Sequence, residues 1–182
     1  MRSTAIGILI VLLSVTFLQP MIETANVFKE KVALGAAILN CCRAAFNYAL
    51  VDDVFDDGIG SSRDLDAVID KEKFVDYFAN AFGKTFDITL ASQIPSGDSF
   101  SIRFSAGERW NEIEIQLDFE DMALTGSNDW GYDLGYNEAI LNVTLETPYV
   151  FRTKLLQQAM AALPPTDFNI TESRQFVVRV IN

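Results

Sequence analysis

The first 22 residues constrain the fold of this chain more than any other segment. From Ser3 to Ile22 the twenty residues carry no charged side chain, and only Arg2 precedes them. A helix of this length extends about 30 Å, which matches the hydrocarbon core of a bilayer. A cleaved signal peptide has a similar pattern, but the nearest candidate cleavage site, Glu23-Thr24-Ala25, places a carboxylate where a small side chain is needed. The sequence therefore favours a retained transmembrane anchor over residues 1–22.

The apolar pattern continues beyond the anchor. Apolar residues recur at steps of three and four, the spacing of one helix face: Val32, Ala36, Leu39, Cys42, Phe46 and Leu50. The pattern predicts a helical stem over residues 23–51 that continues the anchor and buries this face. Gly35, Ala36 and Ala37 keep the stem thin, so that another helix or a sheet can approach it closely.

The remaining residues, 52–182, are predicted to form an acidic head. The net charge of the chain is −11, and residues 1–51 contribute +2, so the head carries −13. A surface of this sign repels nucleic acid and anionic lipid. Histidine is absent, which excludes the most common general base and the most common zinc ligand. The sequence therefore predicts no enzyme and no catalytic, cofactor or metal residues.

Within the head, the apolar period changes along the chain. A helical pattern runs from about Asp64 to Phe82, with Gly83 as its expected end. From Thr85 the period becomes two, which is typical of strands with one buried face. The alternating sets are Phe86, Ile88 and Leu90; Phe100, Ile102 and Phe104; Ile113, Ile115, Leu117 and Phe119; Leu141, Val143 and Leu145; and Phe176, Val178 and Val180.

Two further segments complete the head. Thr125–Asn137 is predicted to be a glycine-rich loop, and Tyr149–Leu163 a helix that ends before Pro164. The predicted fold class is α+β: a long N-terminal transmembrane and stem helix, packed on a small antiparallel-sheet head with additional helices.

The acidic segment from Asp53 to Asp64 is the nearest approach to a metal site. In the register of an EF-hand loop that begins at Asp53, Asp57, Gly58 and Asp64 fall at positions five, six and twelve. Phe55 occupies a ligand position and the terminal glutamate is missing, so the sequence favours a solvated loop over a calcium site.

The only cysteines, Cys41 and Cys42, are adjacent on the predicted stem. Adjacent cysteines rarely form a disulfide with each other because the ring is strained. A cross-link between subunits or an attached lipid is one alternative. Burial of these small side chains as packing of the stem is the favoured one.

Three other groups of residues have both a functional and a structural interpretation. Trp130, Tyr132 and Tyr136 form either a ligand platform with Asp129 and Asp133 or an aromatic loop packed onto the sheet. The pairs Glu112/Glu114 and Asp118/Glu120 are candidates for a two-carboxylate glycosidase site only if they converge across a cleft, and their alternation with apolar residues favours the solvent face of a strand. Asn142 and Asn169 begin glycosylation sequons, and Asn142 lies in a predicted strand.

The order of these segments resembles a known family. The stem sequence AAILNCCRAAFNYAL is similar to the small-residue and arginine stretch that follows the anchor in TadE-like, pilin-like minor components of tight-adherence (Flp-type) pili, and LNVTLETPYVF is a second, weaker likeness. The resemblance covers about the first 60 residues. It implies a pilin-like fold and assembly through the N-terminal helix. Gly7 is followed by Leu12 where processed prepilins of this class carry a glutamate, so processing at Gly7 is not predicted.

The resulting hypothesis is a single-pass structural or assembly component of a pilus or secretion-type system. Its expected partners are the membrane and, through the N-terminal helix, other pilin-like subunits or assembly-platform proteins, in a homo- or hetero-oligomer. Arg2 and the amino terminus favour a cytoplasmic N-terminus, and an acidic head with short strands suits an extracytoplasmic domain. The alternative is a membrane-tethered ligand-binding or sensor domain.

Overall fold

The structure of the chain is a computed structural model that describes residues 2–49, 69–107, 110–127, 133–161 and 168–181. Three helices and five strands follow one another in these ranges: α1 (Arg2–Ala49), α2 (Lys71–Phe86), β1 (Leu90–Ser96), β2 (Ser99–Phe104), β3 (Ile113–Ser127), β4 (Asp133–Pro148), α3 (Lys154–Ala161) and β5 (Asn169–Ile181).

The five strands form one antiparallel sheet in the order of the sequence, β1-β2-β3-β4-β5. One face is covered by α1 and α2, and its side chains are completely buried: Ile102, Phe104, Ile113, Ile115, Leu117, Leu141, Val143 and Leu145. Positions between them on β2 and β3, such as Arg103 and Glu114, face solvent. This confirms the predicted α+β class, with a long helix packed on a small antiparallel sheet.

Helix α1 is a single helix of 48 residues that continues through Pro20. It is long and apolar enough near its N-terminus to cross a membrane, and none of its most apolar window is buried. From Leu34 to Ala49, the same helix contributes side chains to the core of the head. The continuous helix predicted from the apolar pattern is therefore present.

The predicted buried face of the stem is wrong in its first half. Val32 is 54% exposed, Ala36 is exposed and Leu39 is half-buried. Cys42 and Phe46 are buried as predicted, whereas Leu50 lies outside the described residues. Most of the buried face is formed by a neighbouring set of residues: Leu34, Ala37, Ile38, Cys41, Ala45 and Ala49. The stem is apolar on two faces, so periodicity alone does not determine which face meets the head.

Helix α2 ends later than predicted. Asp70 caps its N-terminus by accepting from the N–H of Lys73 at 3.1 Å. Gly83, the predicted end, lies inside the helix, where an added Cβ would lie 3.0 Å from the Ile88 carbonyl oxygen. The helix closes at Asp87, whose φ is 55°, and the Ile88 N–H donates to the Gly83 carbonyl at 3.0 Å. The predicted start near Asp64 lies outside the described residues.

Other boundaries in the head also differ from the predictions. Phe86 belongs to α2 and Ile88 to the following connection, so β1 begins only at Leu90. Strands β3 and β4 extend into the predicted glycine-rich loop, as far as Ser127 and from Asp133. Helix α3 is shorter than predicted and begins at Lys154, because Tyr149–Thr153 forms a non-helical connection.

Candidate functional site at the junction of helix and head

The most unusual group in the described part of the chain is a pair of buried carboxylates on α1. Glu23 is 3% exposed and Glu30 is 7% exposed. Their spacing of seven residues places them two turns apart on one side of the helix. Buried carboxylates are rare unless they are paired, because the charged form loses its hydration. Their hydrogen-bond partners therefore show which segment of the head this part of the helix binds.

The carboxylate of Glu23 accepts three hydrogen bonds from the segment between β4 and α3. The Tyr149 hydroxyl donates to Oε2 at 2.5 Å. The backbone N–H groups of Arg152 and Thr153 donate to Oε1 at 2.8 and 2.6 Å. A carboxylate that receives two consecutive backbone N–H groups fixes the course of that chain segment. Glu23 thus attaches the connection Tyr149–Thr153 to the helix.

Glu30, two turns further along the helix, adds an ion pair to the same attachment. Its Oε1 receives the guanidinium of Arg152 through Nη2, in an ion pair whose arginine side chain is half exposed. Arg152 therefore contacts both carboxylates, Glu23 through its backbone and Glu30 through its side chain. We call Glu23, Glu30, Tyr149, Arg152 and Thr153 the junction cluster.

The protonation of the junction cluster follows from these contacts. Burial of the Glu23 carboxyl raises its pKa, but the hydrogen bonds from Tyr149, Thr153 and Arg152 outweigh burial, so the pKa lies below its usual value of 4.5. Burial and the adjacent Glu23 carboxylate raise the pKa of the Tyr149 hydroxyl. Glu23 is therefore an ionised acceptor and Tyr149 a protonated donor at neutral pH.

A groove of about 560 Å³ lies beside the junction cluster. Its lining mixes charged, amide and aromatic groups, including Glu30, Trp110, Asn111, Phe151, Arg152 and Gln157. Trp110 is buried, and its ring contacts the ring of Phe86 edge-on, with ring centroids 5.1 Å apart. Asn111 is held by donating its side-chain N–H to the Pro148 carbonyl at 2.9 Å. The groove has the size of a small-molecule site.

Higher on the stem, β5 approaches α1 through a small residue. A Cβ at Gly35 would lie 2.9 Å from Oε1 of Glu172. Glu172 also pairs with Lys31 at 3.7 Å and with Arg174 at 2.9 Å. The close approach predicted for Gly35 is therefore made by side chains of the head's own sheet.

The candidate functional residues proposed from the sequence do not belong to the junction cluster. Cys41 and Cys42 are free and buried between the stem and the head, and burial raises the pKa of both thiols. Trp130 and Tyr132, and the segment from Asp53 to Asp64, lie outside the described residues. Glu114 is on the solvent face, where it pairs with Arg103 at 3.3 Å. Asn142, as predicted, lies in a strand.

The other predicted surface carboxylates agree with this placement. Glu112 and Glu120 are exposed, and Asp118 is half-buried. Among the described residues, no group of three or more histidine, cysteine, aspartate or glutamate side chains is arranged to hold a metal ion.

Sequence reasoning considered Glu23 only as a residue that disfavours cleavage, and it missed Glu30. The available signal was the spacing: two carboxylates seven residues apart, and so on one side of the helix, just beyond the anchor. Tyr149 and Arg152, more than 120 residues later, carried no signal that links them to the helix.

Comparison of the chain with protein-family models, with curated proteins and with solved structures finds no match.

Proposed function

We propose that this chain is a single-pass, pilin-like structural or assembly component of a pilus or secretion-type cell-surface system, similar to the TadE-like group. Its N-terminus is cytoplasmic, and its acidic head lies outside the membrane. The observation that carries the proposal is helix α1. Its first part exposes every described apolar side chain from Ile6 to Leu18, and its last part supplies the core of the head.

An exposed strip on the stem supports a role in assembly. Phe28 is 69% exposed and Val32 is 54% exposed, and Ala36 follows on the same side of the helix. We call Phe28, Val32 and Ala36 the stem strip. It continues the apolar surface of the anchor beyond the membrane, where a lone helix gains nothing from exposing phenylalanine and valine. A neighbouring helix is the partner that fits a narrow apolar strip ending in a small residue.

The stem strip also provides the test. A photo-crosslinking amino acid is placed at Val32 in the full-length protein in its native membrane, with Val177 on β5 as a control of similar exposure, 52%. The expected result is an adduct at Val32 with another copy, a pilin-like subunit or an assembly-platform protein, and none at Val177. Absence of an adduct at Val32 contradicts assembly through the helix. A secretion ATPase and a polytopic membrane protein encoded beside this gene would support the proposal independently.

The groove favours a second candidate, a membrane-tethered ligand-binding or sensor domain. Arg152 and Gln157 offer donors there, while Trp110 and Phe151 offer aromatic surface. Under this alternative, Gln157→Ala, a change at an exposed residue of the groove, abolishes a response of the cell to a small molecule but leaves complexes of the full-length protein intact. Under the first proposal, loss of the stem strip disrupts those complexes.

A further inference from the structure

The junction cluster sets the height of the head above the membrane. Glu23 directly follows the anchor, whose last residue is Ile22. The headgroup layer extends about 5–7 Å beyond each side of the hydrocarbon core, which is about four residues of a helix. Tyr149, Arg152 and Thr153 bind the Glu23 carboxylate directly, at 2.5 to 2.8 Å. When the anchor spans the bilayer, these residues lie in the headgroup layer.

The part of the head at this height is apolar and aromatic. Val150 is 51% exposed and Phe168 is 49% exposed. The Tyr149 N–H donates to the Phe168 carbonyl at 2.8 Å, which joins the two segments. The rings of Tyr149, Phe151 and Phe168 contact one another, with centroids 5.3 to 6.2 Å apart. We call Tyr149–Thr153 together with Phe168 the base of the head.

Charges beside the base fit the same environment. Lys154 is exposed beside the base, and Arg152 within the base exposes half of its side chain while it pairs with Glu30, although the head as a whole is strongly acidic. Aromatic rings are enriched at the level of the lipid headgroups, and arginine and lysine stems lie on apolar surface while their charges reach phosphate. A protein partner would have to enter the headgroup layer to cover this surface, whereas lipid is already there.

We propose that the base of the head is a second membrane contact, with Val150 and Phe168 inserted among the lipid headgroups beside the anchor. The inference rests on the membrane insertion of α1 in the proposed function and adds the orientation of the head to it. With the anchor and the base both in lipid, and Glu23 joining them, the head is held against the bilayer on one side of the helix. It does not swing freely about the end of the anchor.

Nitroxide accessibility in lipid nanodiscs containing the full-length protein tests the inference. Single cysteines are introduced as Phe17→Cys, Val150→Cys, Phe168→Cys and Val177→Cys, and the unmodified chain controls for labelling of the buried native thiols. Phe17, in the anchor, is 64% exposed. Val177 matches Val150 and Phe168 in exposure, but it lies roughly 30 Å along β5 from Phe168.

The expected result is a ratio of collisions with oxygen to collisions with a water-soluble nickel complex that is severalfold higher at Val150 and Phe168 than at Val177. A lipid-like ratio at Phe17 with a water-like ratio at either base position overturns the inference and leaves the proposed function standing. Low collision with both reagents at the base means that protein covers it, which also overturns the inference. A water-like ratio at Phe17 shows that the anchor is not inserted and overturns both.

Discussion

Replacement of Glu23 by glutamine tests the main structural claim, that one carboxylate on α1 holds the head in place. The variant Glu23→Gln keeps the size of the side chain and one carbonyl oxygen. It removes the charge and converts the oxygen that accepts from Tyr149 into an amide nitrogen. The change is therefore confined to the three hydrogen bonds from Tyr149, Arg152 and Thr153.

The magnitude follows from those three bonds. A hydrogen bond to a charged group contributes about 1.5–3 kcal/mol, and a bond between neutral groups about 0.5–1.5 kcal/mol. Each backbone N–H keeps a neutral acceptor and so loses about 1 kcal/mol. The Tyr149 hydroxyl must turn round to accept from the new amide, with a similar loss. The expected destabilisation is about 3 kcal/mol, which lowers the melting temperature by about 6–12 °C for a chain of this size.

The assay is thermal unfolding of the full-length protein in mild detergent, followed by near-ultraviolet circular dichroism at pH 7. Glu112→Gln is the matched control, because the Glu112 side chain is exposed just before β3 and the substitution removes the same charge. A melting temperature of Glu23→Gln equal to that of Glu112→Gln within error would refute the reasoning. The head would then be held by its hydrophobic contacts alone.

A double-mutant cycle with Tyr149→Phe separates the tyrosine bond from the rest. Tyr149→Phe removes only the hydroxyl that donates to Glu23. Because the two residues share one interaction, the loss in the double variant should be smaller than the sum of the single losses by about 1 kcal/mol. Strict additivity would mean that the two side chains do not depend on each other.

Three further measurements test the charge of Glu23, the buried face of the stem and the burial of the two cysteines. The pKa of the Glu23 carboxyl is lower in the folded state than its usual value of 4.5, so the ionised carboxylate stabilises the fold fully above pH 4.5. This stabilisation is lost as the pH falls through the folded-state pKa. The stability difference between wild type and Glu23→Gln should therefore be smaller at pH 3 than at pH 7. Ile38→Ala, at a fully buried position, should cost about 2–5 kcal/mol by urea unfolding. Val32→Ala, at a position 54% exposed, should change the free energy of unfolding by less than about 0.5 kcal/mol. Equal losses of stability in Val32→Ala and Ile38→Ala would contradict the observed buried face of the stem. Cys41 and Cys42 should resist a bulky maleimide until denaturant is added, and a disulfide-linked dimer on a non-reducing gel would contradict their burial.

The sheet was the most predictable part of the fold. Phe100, Ile102 and Phe104 alternate with polar residues, as do Ile113 and Ile115, and all five are buried on the face that α1 and α2 cover. Because successive side chains of a strand point to opposite faces of the sheet, one buried residue determines the face of every other residue in that strand. The buried faces of these strands could therefore be predicted from local sequence, although the ends of β1, β3 and β4 could not.

Helix boundaries and faces required information that is not local. Gly83 is a good helix end by propensity, but α2 continues to Phe86, and an added Cβ at Gly83 would lie 3.0 Å from the Ile88 carbonyl oxygen, so a side chain there would require a small shift of that backbone. Val32 and Leu34 are both apolar and lie on different sides of α1, and only contact with the sheet shows that Leu34 is the buried one. In both cases tertiary packing overrides a local preference.

The junction cluster was unpredictable for a related reason. The separation between Glu23 and Tyr149 is 126 residues, and no pattern in either segment points to the other. The sequence places Glu23 and Glu30 two turns apart on one side of a helix, but it does not show their partners. The answer depends on the path that β4 takes back to α1.

The proposed assembly is constrained by the absence of a hinge between membrane and head. From Glu23 to Leu34 the helix contains neither glycine nor proline, and Glu23 and Glu30 fix the base of the head two turns apart. Packed helices lie about 8–10 Å apart, whereas five strands side by side span about 24 Å. Two copies can pack back to back through Val32, since the head lies on the other side of α1. Because the junction cluster holds the base of every head at the same height in the bilayer, further copies in one bundle must point their heads outward around it, and a staggered arrangement would require some bases to leave the headgroup layer.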